Sequence, residues 1–159
     1  MTSALEFLVL DLYRTGTLSA VYEDRKLIQN AVDESLRYHA STGRFSRTVI
    51  KETTLHGVEM KPGDRVALCL DSANRDPSMF QNPDVFDLHR NSARHLAFGH
   101  GVHACIALAI SKSAMCAFLD VLLDTVGMYK ILTPNEDLSY VMTASGNNDM
   151  ISNILLEKQ

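Results

Sequence analysis

The sequence predicts a mainly α fold with small β-sheets, an α+β domain, from three observations. Apolar residues recur at helical spacing near the start, β-branched residues alternate between 47 and 70, and a strongly apolar helical stretch follows at 104–127. A chain of 159 residues with 46% apolar content suits one domain with a real core, so 1–159 is read as a single unit.

In order along the chain, residues 1–40 read as helices. "SALEFLVLDLYRTG" places Leu5, Leu8 and Leu12 on one helical face and offers Gly16 as a stop. "DRKLIQNAVDESLRYH" repeats the period through Leu27, Ile28, Ala31, Val32 and Leu36, and sets Glu34 and Arg37 three apart on one face. From 47 to 70 the texture is that of a small antiparallel sheet. His56-Gly57 marks a hairpin turn, and Lys61-Pro62-Gly63-Asp64 has Pro and Gly where a type II turn requires them. Residues 71–103 carry two prolines, several Asn and Asp and little periodicity, and long structureless stretches in compact domains are usually functional or disordered. "ACIALAISKSAMCAFLDVLLDTVG", 104–127, is apolar on nearly every side, as a helix buried in a core would be, and ends at Gly127. The remainder, 128–159, reads as a terminal β-hairpin region with a short last strand.

Fifteen Lys and Arg against nineteen Asp and Glu leave a formal charge of −4, which gives no basic footprint for nucleic acid. The run "FLVL" at 7–10 is too short to span a bilayer, and no basic segment precedes it as in a signal peptide. The expectation is a cytoplasmic chain with neither a membrane nor a nucleic-acid partner. Three cysteines without framework spacing do not make a disulfide scaffold. Cys69, in a strand, and Cys116, in the apolar helix, read as packing residues.

The stretch "HLAFGHGVHAC", 95–105, crowds His95, His100, His103, Gly99, Gly101 and Cys105 where a loop enters the apolar helix. Unpaired N–H groups and the positive dipole end at a helix start favour an anionic sulfur on Cys105. Gly99 and Gly101 let the backbone turn sharply and lie close to a flat ligand. Other readings of these residues alone are an inert core cysteine and half of a zinc site, the latter weakened by the lack of a second Cys/His pair at ligand spacing.

"FGHGVHACIA", Phe98 to Ala107, resembles the haem-binding signature of the cytochrome P450 family, the haem-thiolate monooxygenases. Ala107 departs from it, since many members carry glycine there. Glu34-Ser35-Leu36-Arg37 is similar to the family's Glu-x-x-Arg motif, Arg90 in "FDLHR" to its meander arginine, "NRDP" at 74–77 to a segment upstream of that arginine, and "VEMKPGDRV" to its small sheet. The resemblance runs from about residue 20 onward and is of the soluble bacterial kind.

That resemblance implies the C-terminal part of the P450 fold. It makes Cys105 the metal ligand of haem, protoporphyrin IX iron, with Arg47, His95 and His103 facing the propionates and Phe98, Gly99 and Gly101 lining the cofactor. His100 and Arg94 read as ordinary surface bases. Glu34, Arg37 and Arg90 become a structural triad, and no residue is assigned a catalytic role. "STGRFS", 41–46, and "TASGNND", 143–149, fall where the family places substrate-facing turns, and Thr2 falls near its distal threonine.

The family's chain is more than twice this length, so the expectation is a truncated form or C-terminal fragment whose distal helix, with its acid–alcohol pair, lies elsewhere. The implied function is monooxygenation of a small organic substrate with electrons from a ferredoxin-type partner. The alternative is a non-catalytic haem-binding or accessory protein derived from the family.

Overall fold

The computed structural model describes residues 2–134, 140–142, 148–150 and 154–159. Helix α1 spans Thr2–Arg14, and Leu8, Leu10 and Leu12 are all buried in its middle. It ends as the glycine suggested. Gly16 takes φ +71°, its N–H donates to Tyr13 O at 3.2 Å, and Thr17 N–H reaches Leu12 O at 3.1 Å. This paired closure satisfies the last carbonyls of the helix.

Short helix α2 (Leu18–Glu23) leads to a turn of 3-10 helix at Arg25–Leu27, capped by the Asp24 carboxylate accepting from Lys26 N–H at 3.0 Å. Helix α3, Ile28–Tyr38, follows, and it packs on α1 through Ala31, Val32 and Leu36.

Strand β1 (Arg44–Thr48) pairs antiparallel with β4 (Arg65–Cys69), and β2 (Thr53–Leu55) pairs with β3 (Val58–Met60). His56 and Gly57 both take positive φ, which matches the strand twist of a two-residue hairpin. Asp64 N–H closes the Lys61–Asp64 turn on Lys61 O at 3.0 Å, with Gly63 at φ +97°. The small sheet is therefore two separate ladders, and its first strand starts three residues earlier than the pattern at 47 suggested.

After α4 (Leu70–Ala73) the chain is irregular to residue 107, apart from single 3-10 turns at Ser92–Arg94 and Gly101–His103. Helix α5 spans Leu108–Thr125. It differs from the expected buried helix at 104–127 in two ways. It begins later, because Leu108 N–H is the first amide to turn back, onto Cys105 O at 3.1 Å. It is also buried along one stripe only, Met115, Leu119 and Leu123, which joins the core beside α3, while Ile110, Phe118 and Val121 stand exposed. A composition that is apolar all round permits full burial, but the described residues cover just one side.

Strand β5 (Tyr129–Ile131) pairs with β8 (Leu156–Lys158), and β6 (Tyr140–Met142) with β7 (Asn148–Met150), which gives the hairpin and last strand of the terminal region. The buried Tyr129 hydroxyl donates to Val9 O at 2.9 Å and ties this region to α1. Among the described residues, no helix is long and apolar enough to cross a membrane.

Candidate functional site: the Cys105 cavity

Cys105 lies two residues ahead of Ala107, the cap of α5, with its side chain exposed. Its N–H donates to Phe98 O at 2.9 Å, so the segment 98–105 closes into a loop. Gly99 and Gly101 make that closure with φ +71° and +68°. A Cβ on Gly99 would come within 3.5 Å of His103 O and 3.9 Å of the Phe45 ring, an ordinary contact, so backbone strain is what selects glycine.

The thiol borders a cavity of about 400 Å³ walled by Ala4, Leu36, Phe45, Ala97, Phe98 and Met115, with Ser41, Thr42 and Ser111 as polar members. A neighbouring cavity of about 300 Å³ shares Phe45 and His103 with it and adds Arg47, Gly99, His100 and Cys69. The chain thus brings Cys105, His103 and Phe98 around one apolar cavity and His103, Arg47 and Gly99 around the adjoining one. Arg47 spends one N–H on Ser46 O at 2.9 Å, and its guanidinium lies 5.7 Å from the Phe45 ring centre.

Two sequence expectations change here. His95 lines neither cavity: its side chain is only 5% exposed and points to Asp33 on α3, with Nε2 at 3.9 Å from the carboxylate, while Nδ1 accepts Ala97 N–H at 3.2 Å. Nδ1 is occupied away from the cavity, and the ring borders neither cavity in this structure. Cys69 is exposed, like most of β4, and lines the second cavity. Cys116, as expected, packs against the core, half-buried, with Sγ 3.5 Å from Gln29 Oε1. Thr2 faces a separate groove formed with Leu5, Val9 and Phe118. Residues 143–147 of "TASGNND" lie outside the described residues, whereas Ser41, Thr42 and Phe45 of "STGRFS" line the cavity.

Glu34, Arg37 and Arg90 are brought together beneath this loop. Glu34 and Arg37 side chains are 0% exposed and joined at both ends of the fork, Nε to Oε2 and Nη2 to Oε1, each at 2.8 Å. Arg90 Nε reaches Glu34 Oε1 at 3.1 Å. Burial works against ionisation of Glu34, but hydrogen bonds from Arg37, Ser92 and the Asp87 amide, with the Arg37 charge, hold its carboxyl below the ordinary value. Arg37 also donates to the carbonyls of Asn74 (2.9 Å), Pro83 (2.8 Å) and Val85 (3.3 Å), and Arg90 to those of Gln81, Asn82 and Val85. The two arginines thereby organise the irregular segment that leads to the cysteine.

Sequence reasoning did not single out Ser92, whose hydroxyl donates to Glu34, or Asn74, whose Oδ1 accepts Leu96 N–H at 2.7 Å. Asn74 sat in a noted motif, "NRDP". Ser92 offered no signal, since a serine in a turn-rich stretch is unremarkable by composition.

The family model for cytochrome P450 matches residues 19–129. Cytochrome P450-terp of Pseudomonas sp is 38% identical over 117 residues, covering 74% of this chain and 27% of that protein. The vitamin D3 dihydroxylase of Streptomyces griseolus is 32% identical over 139 residues, covering 87% of this chain and 34% of its own length. Among solved structures, the ligand-free P450 monooxygenase TamI superposes with a TM-score of 0.90 at 31% identity over 99% of this chain and 38% of that one. P450BioI, solved with a hexadecenoyl-loaded acyl carrier protein, gives 0.88 at 29% identity, over 99% and 40%. The chain spans about a quarter to a third of the length of these curated relatives. A match over most of the chain in sequence and nearly all of it in space has one meaning: the chain belongs to the cytochrome P450 family.

Proposed function

We propose that the chain carries the thiolate side of a haem monooxygenase site, with Cys105 as the axial ligand of haem iron. The observation that carries this reading is the exposed Cys105 thiol on an apolar cavity bordered by His103, with His103 and Arg47 both lining the adjoining cavity. A flat, largely apolar tetrapyrrole with two carboxylates matches that distribution of surface and charge. Gly99 and Gly101 permit the close backbone approach it needs, and Phe98 packs at the sulfur side. Haem bound there would supply redox-active iron for inserting one oxygen atom into a small organic substrate.

The residues of this chain have defined tasks in that reading. Cys105 donates sulfur electron density, and the Phe98 carbonyl fixes the peptide from which the sulfur projects. His103 and Arg47 neutralise the propionates. Ser41, Thr42 and Phe45 form the wall nearest a substrate, and their mixed character suits a lipophilic molecule with a polar handle. Electrons arrive from a ferredoxin-type protein, and the chain acts in the cytoplasm.

The test is spectroscopic. After reconstitution with haem, reduction and addition of carbon monoxide, a thiolate-ligated complex has a Soret band strongly red-shifted from a histidine-ligated one, and Cys105→Ala abolishes it. The same spectrum in Cys105→Ala would overturn the assignment.

A second reading, haem binding without coupled oxygen insertion, is favoured by the openness of the loop, where Val102 is 98% and Ile106 103% exposed. Oxygen chemistry requires a site that excludes water. With ferredoxin, its reductase and NADPH supplied, near-stoichiometric hydroxylated product per NADPH supports the first reading, and NADPH consumption without product supports the second.

A further inference from the structure

Asp11 interrupts the apolar run of α1, among the buried Leu8, Leu10 and Leu12, and is itself buried. A carboxyl in such surroundings is costly unless its oxygens are hydrogen-bonded, and both are. Ser35, on α3, donates its hydroxyl to Oδ2 at 2.8 Å, and His39 Nδ1 lies 2.8 Å from Oδ1. The His39 ring also stacks on Phe7, one turn before Asp11, with centroids 4.9 Å apart. One face of α1 therefore grips the residue that caps the end of α3. Just ahead of it, Arg75 Nη2 donates to Tyr38 O at 2.8 Å, while Nη1 pairs with Asp84 at 2.7 Å. Beyond His39, Gly43 O accepts Leu70 N–H at 2.8 Å and Asp71 N–H at 3.3 Å. Ser41 and Thr42, which wall the Cys105 cavity, are strung between these two fixed points. Ala4, on the same face of α1 as Asp11, and Leu36, next to Ser35, line the cavity too. Both helices joined by Asp11 thus reach the space that this wall closes.

We propose that Asp11 is a positioning residue for the Ser41–Thr42 wall, acting through His39 and Ser35 to fix where that wall stands against a bound molecule. What the wall does to a bound molecule rests on the haem reading above; where the wall stands does not. Neither Asp11 nor His39 lines the cavity, so their effect passes through the main chain of residues 40–42. An aspartate suits this task, because its two oxygens can hold two side chains one turn apart on α3.

Amide hydrogen exchange and amide resonances of the haem-free chain test the wall. Asp11→Leu removes both bonds and fills the site with an apolar side chain. His39→Phe removes one bond, keeps a ring against Phe7 and changes a partly exposed side chain, so it reports even if Asp11→Leu fails to fold. Both should raise exchange at the His39 amide about five- to tenfold, the equivalent of one net hydrogen bond, and shift the Ser41 and Thr42 resonances. Leu8 and Val32, inside the two helices, should keep wild-type protection. His39→Asn carries an amide N–H where Nδ1 stands and should return both readouts to wild type. Wild-type exchange and resonances in His39→Phe and in folded Asp11→Leu would overturn the proposal. So would an equal rise at Leu8 and Val32, which would make Asp11 a stabiliser of the whole fold. In the haem-loaded chain the probe is 4-phenylimidazole, a lipophilic iron ligand whose affinity is read from the Soret shift. It should bind about five- to tenfold more weakly to both variants and normally to His39→Asn. Moved resonances with unchanged affinity would overturn the link to a bound molecule. A wild-type chain lacking the thiolate band with carbon monoxide would instead defeat the haem reading, with exchange and resonances still deciding the wall.

Discussion

Arg37→Ala should come close to unfolding this domain, and the structure sets the size of the effect. Arg37 is 0% exposed and makes two hydrogen bonds to Glu34 and three to main-chain carbonyls. Removing one partner of a buried ion pair costs about 3–5 kcal/mol, because the other charge is left without compensation. Arg90, Ser92 and the Asp87 amide remain on Glu34, which favours the low end of that range. The Asn74 and Pro83 carbonyls lose their donor as well, and an orphaned buried acceptor costs about 1–3 kcal/mol. A total near 5 kcal/mol is a third or more of the roughly 5–15 kcal/mol that holds a domain folded. Urea unfolding followed by circular dichroism reads this directly. With a slope of about 1–3 kcal/mol/M, the midpoint should fall by about 2 M or more, or the cooperative transition should vanish. The double variant Glu34→Gln/Arg37→Met removes both charges of the fully buried pair and should lose less than the two single changes summed. A soluble Arg37→Ala chain with an unchanged midpoint would refute the reasoning and reduce the pair to a local contact.

Three further outcomes follow from single positions. Gly99→Ala should cost about 1–2 kcal/mol from the left-handed backbone alone, since the new Cβ meets ordinary contacts; a thermal midpoint equal to wild type would show the loop can relax. Burial pushes the Asp11 carboxyl up, against hydrogen bonds from His39 and Ser35, so its protonated form is favoured in the fold, and stability present below its unfolded value is lost as pH rises through the folded one. Asp11→Asn removes that dependence, so the stability difference between variant and wild type should move in the variant's favour from about pH 4 upward; a constant difference up to pH 7 would contradict the assignment. Tyr129→Phe should cost about 1 kcal/mol in denaturant titrations, because Val9 O loses its tyrosine donor in a buried site; a neutral result would mean that water replaces it.

Features written in the sequence are those that local chemistry decides. Gly16 ends α1, His56-Gly57 and Pro62-Gly63 turn the strands, and the glycines of the Cys105 loop adopt the positive φ that only glycine takes freely. Glu34 and Arg37 meet because three residues of helix place them on one face, and the motif around Cys105 marks a loop that borders an apolar cavity. The tertiary structure alone decided which of several similar side chains does what. His95 and His103 stand in the same short motif, yet one ring is drawn under α3 by Asp33 and the other borders the cavity, because the partner that distinguishes them lies sixty residues away in sequence. Ser92 and Asn74 became part of the buried network for the same reason. Apolar content around α5 permitted burial on every side, but only the stripe at Met115, Leu119 and Leu123 is buried, in the core beside α3. Periodicity states which faces a segment can bury, whereas the direction of each polar side chain is set by long-range partners whose hydrogen bonds and charges exist only after the helices have packed.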